Sequence, residues 1–263
     1  MAMQQTSLAR LWNLIWVVFF FIFLYVPLVV LVTFSFNDAA FPAPWVGGTL
    51  RWYRELFFDG AIWTSFLNSL FVAFSAVILS SLMGIFVVFW AMRNAYVRRS
   101  ISHFYINLML PEIIIAVGLL HLAVMIGLPL GAATLIAAHT VLGLGYVVPL
   151  VFERYQELDK RLMEAALDLG ASPFYAFGSI ILPLLKSTIF AAAVLVFIIS
   201  FDDFVCAYFC AGSTFQTLPL YILSMLRVGI SPEVGALSTV LLVLCSGLVV
   251  FYALLLAKKR KGI

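Results

Sequence analysis

The sequence predicts an all-α integral membrane protein with about six transmembrane helices, on two observations. Of its 263 residues, 65% are hydrophobic and only 10% are charged, whereas a soluble domain is about half apolar and about a quarter charged. The charged residues also leave five long uncharged runs, 11–37, 60–92, 113–152, 204–226 and 234–257. A helical span needs roughly 20 apolar residues, so several of these runs can hold one span and 113–152 nearly holds two. A water-soluble fold would have nowhere to bury so much apolar surface.

Taken in order, the spans fall at about 13–36, 63–92, 104–126, 131–151, 183–210 and 234–257, within one membrane domain covering 1–263. The first reads as a retained helix, because its apolar core far exceeds the roughly 7–15 residues of a signal peptide. No A-x-A-like cleavage site follows Phe36. Its aromatic residues, Phe19, Phe20, Phe21, Phe23 and Tyr25, read as a lipid-facing or helix-packing surface. The third and fourth spans are joined by Gly127-Leu128-Pro129-Leu130-Gly131, a tight turn by its Gly and Pro content. Glu112, just behind Pro111, is expected about eight residues into the third span, roughly 12 Å along its axis.

Six spans put both termini on one side, and the positive-inside rule makes that side the cytoplasm. Arg10, Arg93, Arg98, Arg99, Arg154, Lys160, Arg161, Lys186, Lys258, Lys259, Arg260 and Lys261 all fall there. The opposite segments hold only Arg51, Arg54 and Arg227 of the fifteen basic residues. Five or seven spans would break this partition. Two outward segments are long enough to bear structure. Residues 37–62 carry Pro42, Pro44, Trp45, Trp52 and Tyr53, and residues 212–233 carry Thr217-Leu218-Pro219 and Gly229-Ile230-Ser231-Pro232. Their aromatics suit either an interfacial belt or a docking surface for an external partner. Cys206, Cys210 and Cys245 sit in apolar segments with no CxxC or His/Cys cluster, which points to packing roles and to no metal or redox site.

The loop at 152–182 is the longest on the cytoplasmic side. Tyr155, Leu158, Leu162, Ala165 and Leu169 recur at helical spacing, opposite a face carrying Glu153, Arg154, Glu157, Lys160, Arg161, Glu164 and Asp168. Glu157 and Arg161 have the spacing of a favourable pair. Gly170 is placed to stop this helix. Ser172-Pro173 then reads as an N-cap followed by proline at the first helical position. The product is a helix–turn–helix elbow; the pattern alone suits equally a connector lying on the lipid surface.

Glu164-Ala165-Ala166, Gly170 and Ile180-x-Leu182-Pro183 resemble the EAA loop of ABC importer permeases, E-A-A-x3-G-x9-I-x-L-P, without a gap. The resemblance extends to Tyr25-Val26-Pro27, Phe34-Ser35-Phe36-Asn37, Arg51-Trp52-Tyr53, Ser200-Phe201-Asp202-Asp203, Thr217-Leu218-Pro219 and Val228-Gly229-Ile230-Ser231-Pro232-Glu233. Together these look like the second permease subunit of the spermidine/putrescine group. The resemblance implies the ABC importer type I permease fold, with the loop as a coupling helix docked on a cytoplasmic ATPase through Glu164, Ala165, Ala166, Gly170 and Pro183. It also implies a second permease subunit, an ATPase dimer that binds ATP and Mg, a periplasmic or lipid-anchored substrate-binding protein and a polyamine substrate. No partner is a nucleic acid. The chain itself has no G-x-x-x-x-G-K-[ST] motif, so it is expected to bind no cofactor and to carry no catalytic residue.

An ionisable group at a helix centre costs about 2.5–3.5 kcal/mol on insertion scales, so it usually faces a cavity or partner. Glu112, Asp202 and Asp203 qualify. They could make a passage electronegative for a polycation, with Tyr146, Tyr208 and Phe201 offering cation–π faces. The alternative is structural: the acids cap broken helices or pair with a sister subunit. Asp202 and Asp203 diverge by about 100° on a helix, so both can be satisfied only if that helix is well buried or interrupted. His121 and His139 suit interhelical hydrogen bonding better than a proton relay. An intramembrane aspartyl protease needs two Asp on different helices, and a secondary transporter needs no elbow. An ABC importer for a metal, thiamine or an anion stays open, although acidic embedded groups favour a cation.

Overall fold

In lipid an unpaired backbone N–H or C=O costs several kcal/mol, so apolar runs close their hydrogen bonds within themselves as helices. The computed structural model describes residues 7–39, 43–159, 161–228 and 232–261. Pro42, Lys160 and Gly229-Ile230-Ser231 lie outside the described residues, as do the side chains of Arg10, Cys245 and residues 258–261. In chain order the helices are α1 (Ser7–Phe34), α2 (Arg51–Phe58), α3 (Gly60–Arg93), α4 (Ala95–Ser100), α5 (Ser102–Met109), α6 (Glu112–Met125) and α7 (Ala132–Gln156). They continue as α8 (Arg161–Asp168), α9 (Pro173–Ala176), a π turn (Phe177–Ile181), α10 (Leu182–Asp202), α11 (Val205–Cys210), α12 (Leu218–Val228) and α13 (Pro232–Lys261). By length and composition, 12–34, 60–93, 132–156 and the continuous helix 173–202 can each cross a membrane. The bent pair Ala95–Met109 and Glu112–Met125 makes a fifth candidate span. The 30-residue α13 covers the sixth expected position.

Contacts group the chain into two compact units, Met1–Gly60 with Ile222–Ile263, and Ala61–Tyr221. In the first unit α1 exposes its aromatic side chains along its length, Trp12, Trp16, Phe20 and Phe23 among them. That is the surface expected of a helix lying against lipid or another helix. Past α1 the chain is folded by Asn37, which is fully buried. Its amide donates to the carbonyls of Ala39 and Pro44 and its oxygen accepts from the Val46 N–H. Trp52 Nε1 donates to the Asn37 carbonyl at 2.8 Å, and Tyr53 shares a 2.6 Å hydrogen bond with Ser35 and stacks on Phe36. Trp52 and Tyr53 are therefore pins that hold the loop after α1, whereas Trp45 keeps the exposure of a belt or docking residue.

In the second unit α7 is the central rod, with buried faces of α3, α10 and the π turn and partly buried side chains of α5 packed around it. Glycines make the close approach possible. A Cβ on Gly84 would stand 2.6 Å from Val147 Cγ1, and one on Gly143 would stand 2.8 Å from Ser80 Oγ and 2.9 Å from Val196 Cγ1. Gly143→Leu is thus expected to lower stability by about 1–3 kcal/mol through overpacking, read as a lower thermal midpoint and poorer yield in detergent. Asn107 on α5 donates to the Val141 carbonyl of α7 at 2.9 Å. Thr217-Leu218-Pro219 docks on α3, where the Leu218 N–H donates to Ser69 Oγ and the Asn68 amide to the Gln216 carbonyl.

Three sequence expectations are corrected here. The third span is not a straight rod over 104–126. Leu110 is extended and α5 meets α6 at 111°, because proline lacks an N–H and its ring drives the preceding residue out of the helical region. Glu112 is therefore the first residue of a new helix rather than a mid-helix acid. The fifth span is not continuous over 183–210 either: it ends at Asp202, Asp203 is extended, and α11 begins at Val205. It also starts earlier than Pro183, at Pro173, because the π turn carries the helix through that proline. There the Leu182 N–H reaches the Phe177 carbonyl, a wide turn of the kind that relieves the clash between a proline ring and the preceding turn.

The turn between α6 and α7 follows the sequence reading. Gly127 has φ +69, with its N–H on the Val124 carbonyl and the Leu128 N–H on the Ala123 carbonyl, the pair of bonds that closes a helix through a left-handed glycine.

Candidate functional site

The elbow is built from local signals. The amphipathic helix expected from Tyr155 to Leu169 is interrupted at 157–159, and Glu157 pairs with Arg154 at 2.6 Å instead of Arg161. Asp159 Oδ1 accepts from the Arg161 N–H, and α8 starts there. Gly170 at φ +84 ends the turn after α8, with the Ala171 N–H on the Ala166 carbonyl. Ser172 Oγ accepts from the Tyr175 N–H and Pro173 opens the next helix, as the sequence indicates.

Within the elbow Glu164 and Ala165 are exposed, whereas Ala166 is only 7% exposed and packs inward. The two alanines thus differ: Ala165 lies on the outer surface, and Ala166 lets α8 lie close to α9 and the π turn. Leu169, placed on the buried stripe by its spacing, is 90% exposed, and Phe174 and Tyr175 are exposed beside the bend. Spacing cannot find these three, because the stripe assumes one helix where the chain makes two. Leu169, Phe174 and Tyr175 thus group exposed apolar side chains at a sharp turn near Glu164.

The second cluster sits where α10 breaks. His139, from the N-terminal third of α7, is 2% exposed and reaches Asp203 Oδ2 through Nε2 at 3.0 Å and Ser200 Oγ through Nδ1 at 2.5 Å. A carboxylate only accepts, so Nε2 carries the proton and the Ser200 hydroxyl donates to Nδ1. Asp203 also accepts from the N–H groups of Cys206 (3.2 Å) and Ala207 (2.9 Å). It therefore caps α11, as the structural alternative for the acids required. At its other end α11 is tied to α7, with the Cys210 carbonyl accepting from the Gly131 N–H and lying 2.8 Å from Thr134 Oγ1. Cys206 and Cys210 are buried free thiols.

Of the residues singled out in the sequence, the fold brings Glu112 into electrostatic reach of Asp203 and His139. Tyr146 lines a crevice with His139, Ser200 and Val196. Asp202 and Glu112 are exposed, so Asp202 and Asp203 point to different environments. Tyr208 stands on the exposed side of α11 with its ring against Phe204 and Phe209. Phe201 belongs to a chain of rings, Trp63, Phe66, Phe201, Phe197 and Phe74, with centroids 5.1–5.9 Å apart. His121 is exposed on α6 and takes no part in the cluster. Ser200 belongs to the Ser200-Phe201-Asp202-Asp203 stretch of the resemblance, but nothing in the sequence singles out its hydroxyl as a partner for His139.

A family model described as "Binding-protein-dependent transport system inner membrane component" matches residues 84–262. The chain is 36% identical over 240 residues to the spermidine/putrescine transport system permease protein PotC of Haemophilus influenzae, covering 90% of this chain and 93% of that protein. It is 33% identical over 261 residues to the putrescine transport system permease protein PotI of Escherichia coli K12, covering 95% and 93%. A chain of a bacterial ABC transporter involved in the import of the acidic polysaccharide alginate has the same fold, with a TM-score of 0.69 over 96% of this chain and 95% of that one, at 15% identity.

Proposed function

This chain belongs to the family of binding-protein-dependent transport system inner membrane components, and we propose that it is a permease subunit that carries polyamines inward on the power of a separate ATPase. It is a multi-pass membrane component and not an enzyme. The observation that carries the substrate is similarity over nine-tenths of the chain to a permease named for spermidine and putrescine. Coupling rests on the elbow: Glu164, Ala165 and Leu169 are presented outward, and the helix behind them runs unbroken from Pro173 to Asp202. A push on the elbow is thereby delivered along a rigid rod to the break at Asp203. The basic residues put the elbow and both termini in the cytoplasm, where an ATPase dimer with bound ATP and Mg docks. A second permease subunit completes the passage, and a periplasmic or lipid-anchored binding protein delivers substrate from outside.

Along that passage Glu112 and Asp202 are the acids with open surface, and they replace part of the water an ammonium group loses. Tyr146, Tyr208 and the ring chain at Phe201 add cation–π faces. Binding there is weak, since tight binding would stall release. Closure of the ATPases moves the elbow, and the spans rock between outward and inward access. The test is ATPase activity of the chain purified with its natural partners and a binding protein loaded in turn with putrescine, spermidine, a metal ion, thiamine or an anion. Stimulation by the polyamine-loaded protein is expected. Stimulation only by one of the other ligands would overturn the substrate assignment.

A further inference from the structure

We propose that His139 is a positioning residue: from the N-terminal third of α7 it clasps Ser200 and Asp203, and the clasp holds the break in α10 from which Asp202 is presented. The inference rests on the transport reading for what the clasp serves, while the clasp itself is a matter of geometry.

Ser200 lies in the last turn of α10 and Asp203 is the extended residue just past its end, and the imidazole bridges them with one ring nitrogen each. The result is a polarised chain, Ser200 O–H to Nδ1, then Nε2–H to the Asp203 carboxylate, which also accepts the first amides of α11. Every member is buried. The Asp203 side chain is completely so, at 0% exposure. A buried carboxylate with three donors is fixed in direction. The groups facing the imidazole are Ser200 and Asp203 from α10, with the buried thiols of Cys206 and Cys210 on α11 beyond them, and Glu112 from α6 within electrostatic reach.

The neighbouring residue shows the consequence. On a continuous helix Asp202 and Asp203 diverge by about 100°, and turning either inward dictates where the other points. With Asp203 held inward, Asp202 is exposed. Without the imidazole, Asp203 would be a buried anion short of a donor, and its cheapest relief is to swing out toward water. That movement would uncap α11, displace Asp202 and free the two thiols. His139 is itself buried, so it acts through the residues it clasps, Ser200 and Asp203.

The native thiols report on the clasp. In the assembled complex carrying Cys245→Ser, the rate at which N-ethylmaleimide labels Cys206 and Cys210 is measured beside the turnover and KM for binding protein loaded with polyamine. His139→Leu is expected to speed labelling about tenfold or more, the factor given by losing a hydrogen bond to a buried charge. It is also expected to lower turnover about tenfold with KM changed less than about twofold, because delivery by the binding protein precedes the break. His139→Gln, whose amide can still donate to Asp203, is expected to restore both to within a few-fold of wild type. If His139→Leu does not assemble, Ser200→Ala replaces it, with faster labelling expected in the same direction. Unchanged labelling in the variant tested overturns the clasp. Faster labelling with unchanged turnover overturns its service to transport. A wild-type complex idle with polyamine overturns the substrate reading instead, and the labelling rates still decide the clasp.

Discussion

Uptake is expected to fall by about 100-fold or more in Glu164→Lys, with the protein present in the membrane at its normal level. Glu164 is exposed on α8 at the outer surface of the elbow, so the change meets no packing inside the chain. Its effect must come from a partner. Placing a like charge against a basic group across an interface costs several kcal/mol, and every 1.4 kcal/mol is about tenfold. Glu164→Gln removes the attraction without adding repulsion, and an intermediate loss is expected. Copurification of the ATPase subunit, measured beside uptake in proteoliposomes, distinguishes lost docking from lost motion. Ala166→Leu makes the converse case. It pushes α8 from its seat against α9, and it is expected to damage the elbow from within whether or not a partner is present. Full uptake in Glu164→Lys at normal protein levels would contradict the coupling role.

The elbow was legible in the sequence because its signals are local. Ser172, Pro173 and Gly170 each act through a neighbouring backbone bond or a single φ angle, and such chemistry needs no tertiary context. The spans were legible as lengths for a similar reason, since a membrane selects about 20 apolar residues whatever they pack against. Where the spans break was not. Apolarity summed along 104–126 and 183–210 ignores backbone direction, so Pro111 and Asp203 disappear into otherwise continuous runs. Pro111 alone could have given the first break, from its effect on the residue before it. The adjacent acids at 202–203 raised an interruption only as one of two alternatives, because an Asp is a cap only if the chain turns there, and here the turn is held by His139 from 64 residues away. The inward face of Ala166 and the outward face of Leu169 were lost to the same limit. Periodicity assigns faces within one helix, and the break at 157–159 resets the phase.

That distinction separates the two adjacent acids, and the separation has the second large effect. Asp203→Leu is expected to remove most of the assembled protein, because it strands His139 Nε2 and the N–H groups of Cys206 and Ala207 in a buried site. Each stranded donor costs about 1–3 kcal/mol, against a total stability of about 5–15 kcal/mol. Asp202→Asn leaves every one of those bonds in place, so the protein is expected at its normal level with polyamine turnover reduced about tenfold. A unit charge 4 Å from an ammonium at an effective dielectric of about 20 is worth about 4 kcal/mol before desolvation is subtracted, which leaves room for that loss. Rescue by the longer acid tells the roles apart. Asp202→Glu keeps the charge on an exposed side chain free to adjust and should restore turnover. Asp203→Glu must fit an extra methylene among three fixed donors, and overpacking of that kind costs about 1–3 kcal/mol, so it should not restore the protein. Turnover unaffected by Asp202→Asn at a normal protein level would remove Asp202 from the passage. Protein levels unaffected by Asp203→Leu would mean that the break in α10 is held by something other than its cap.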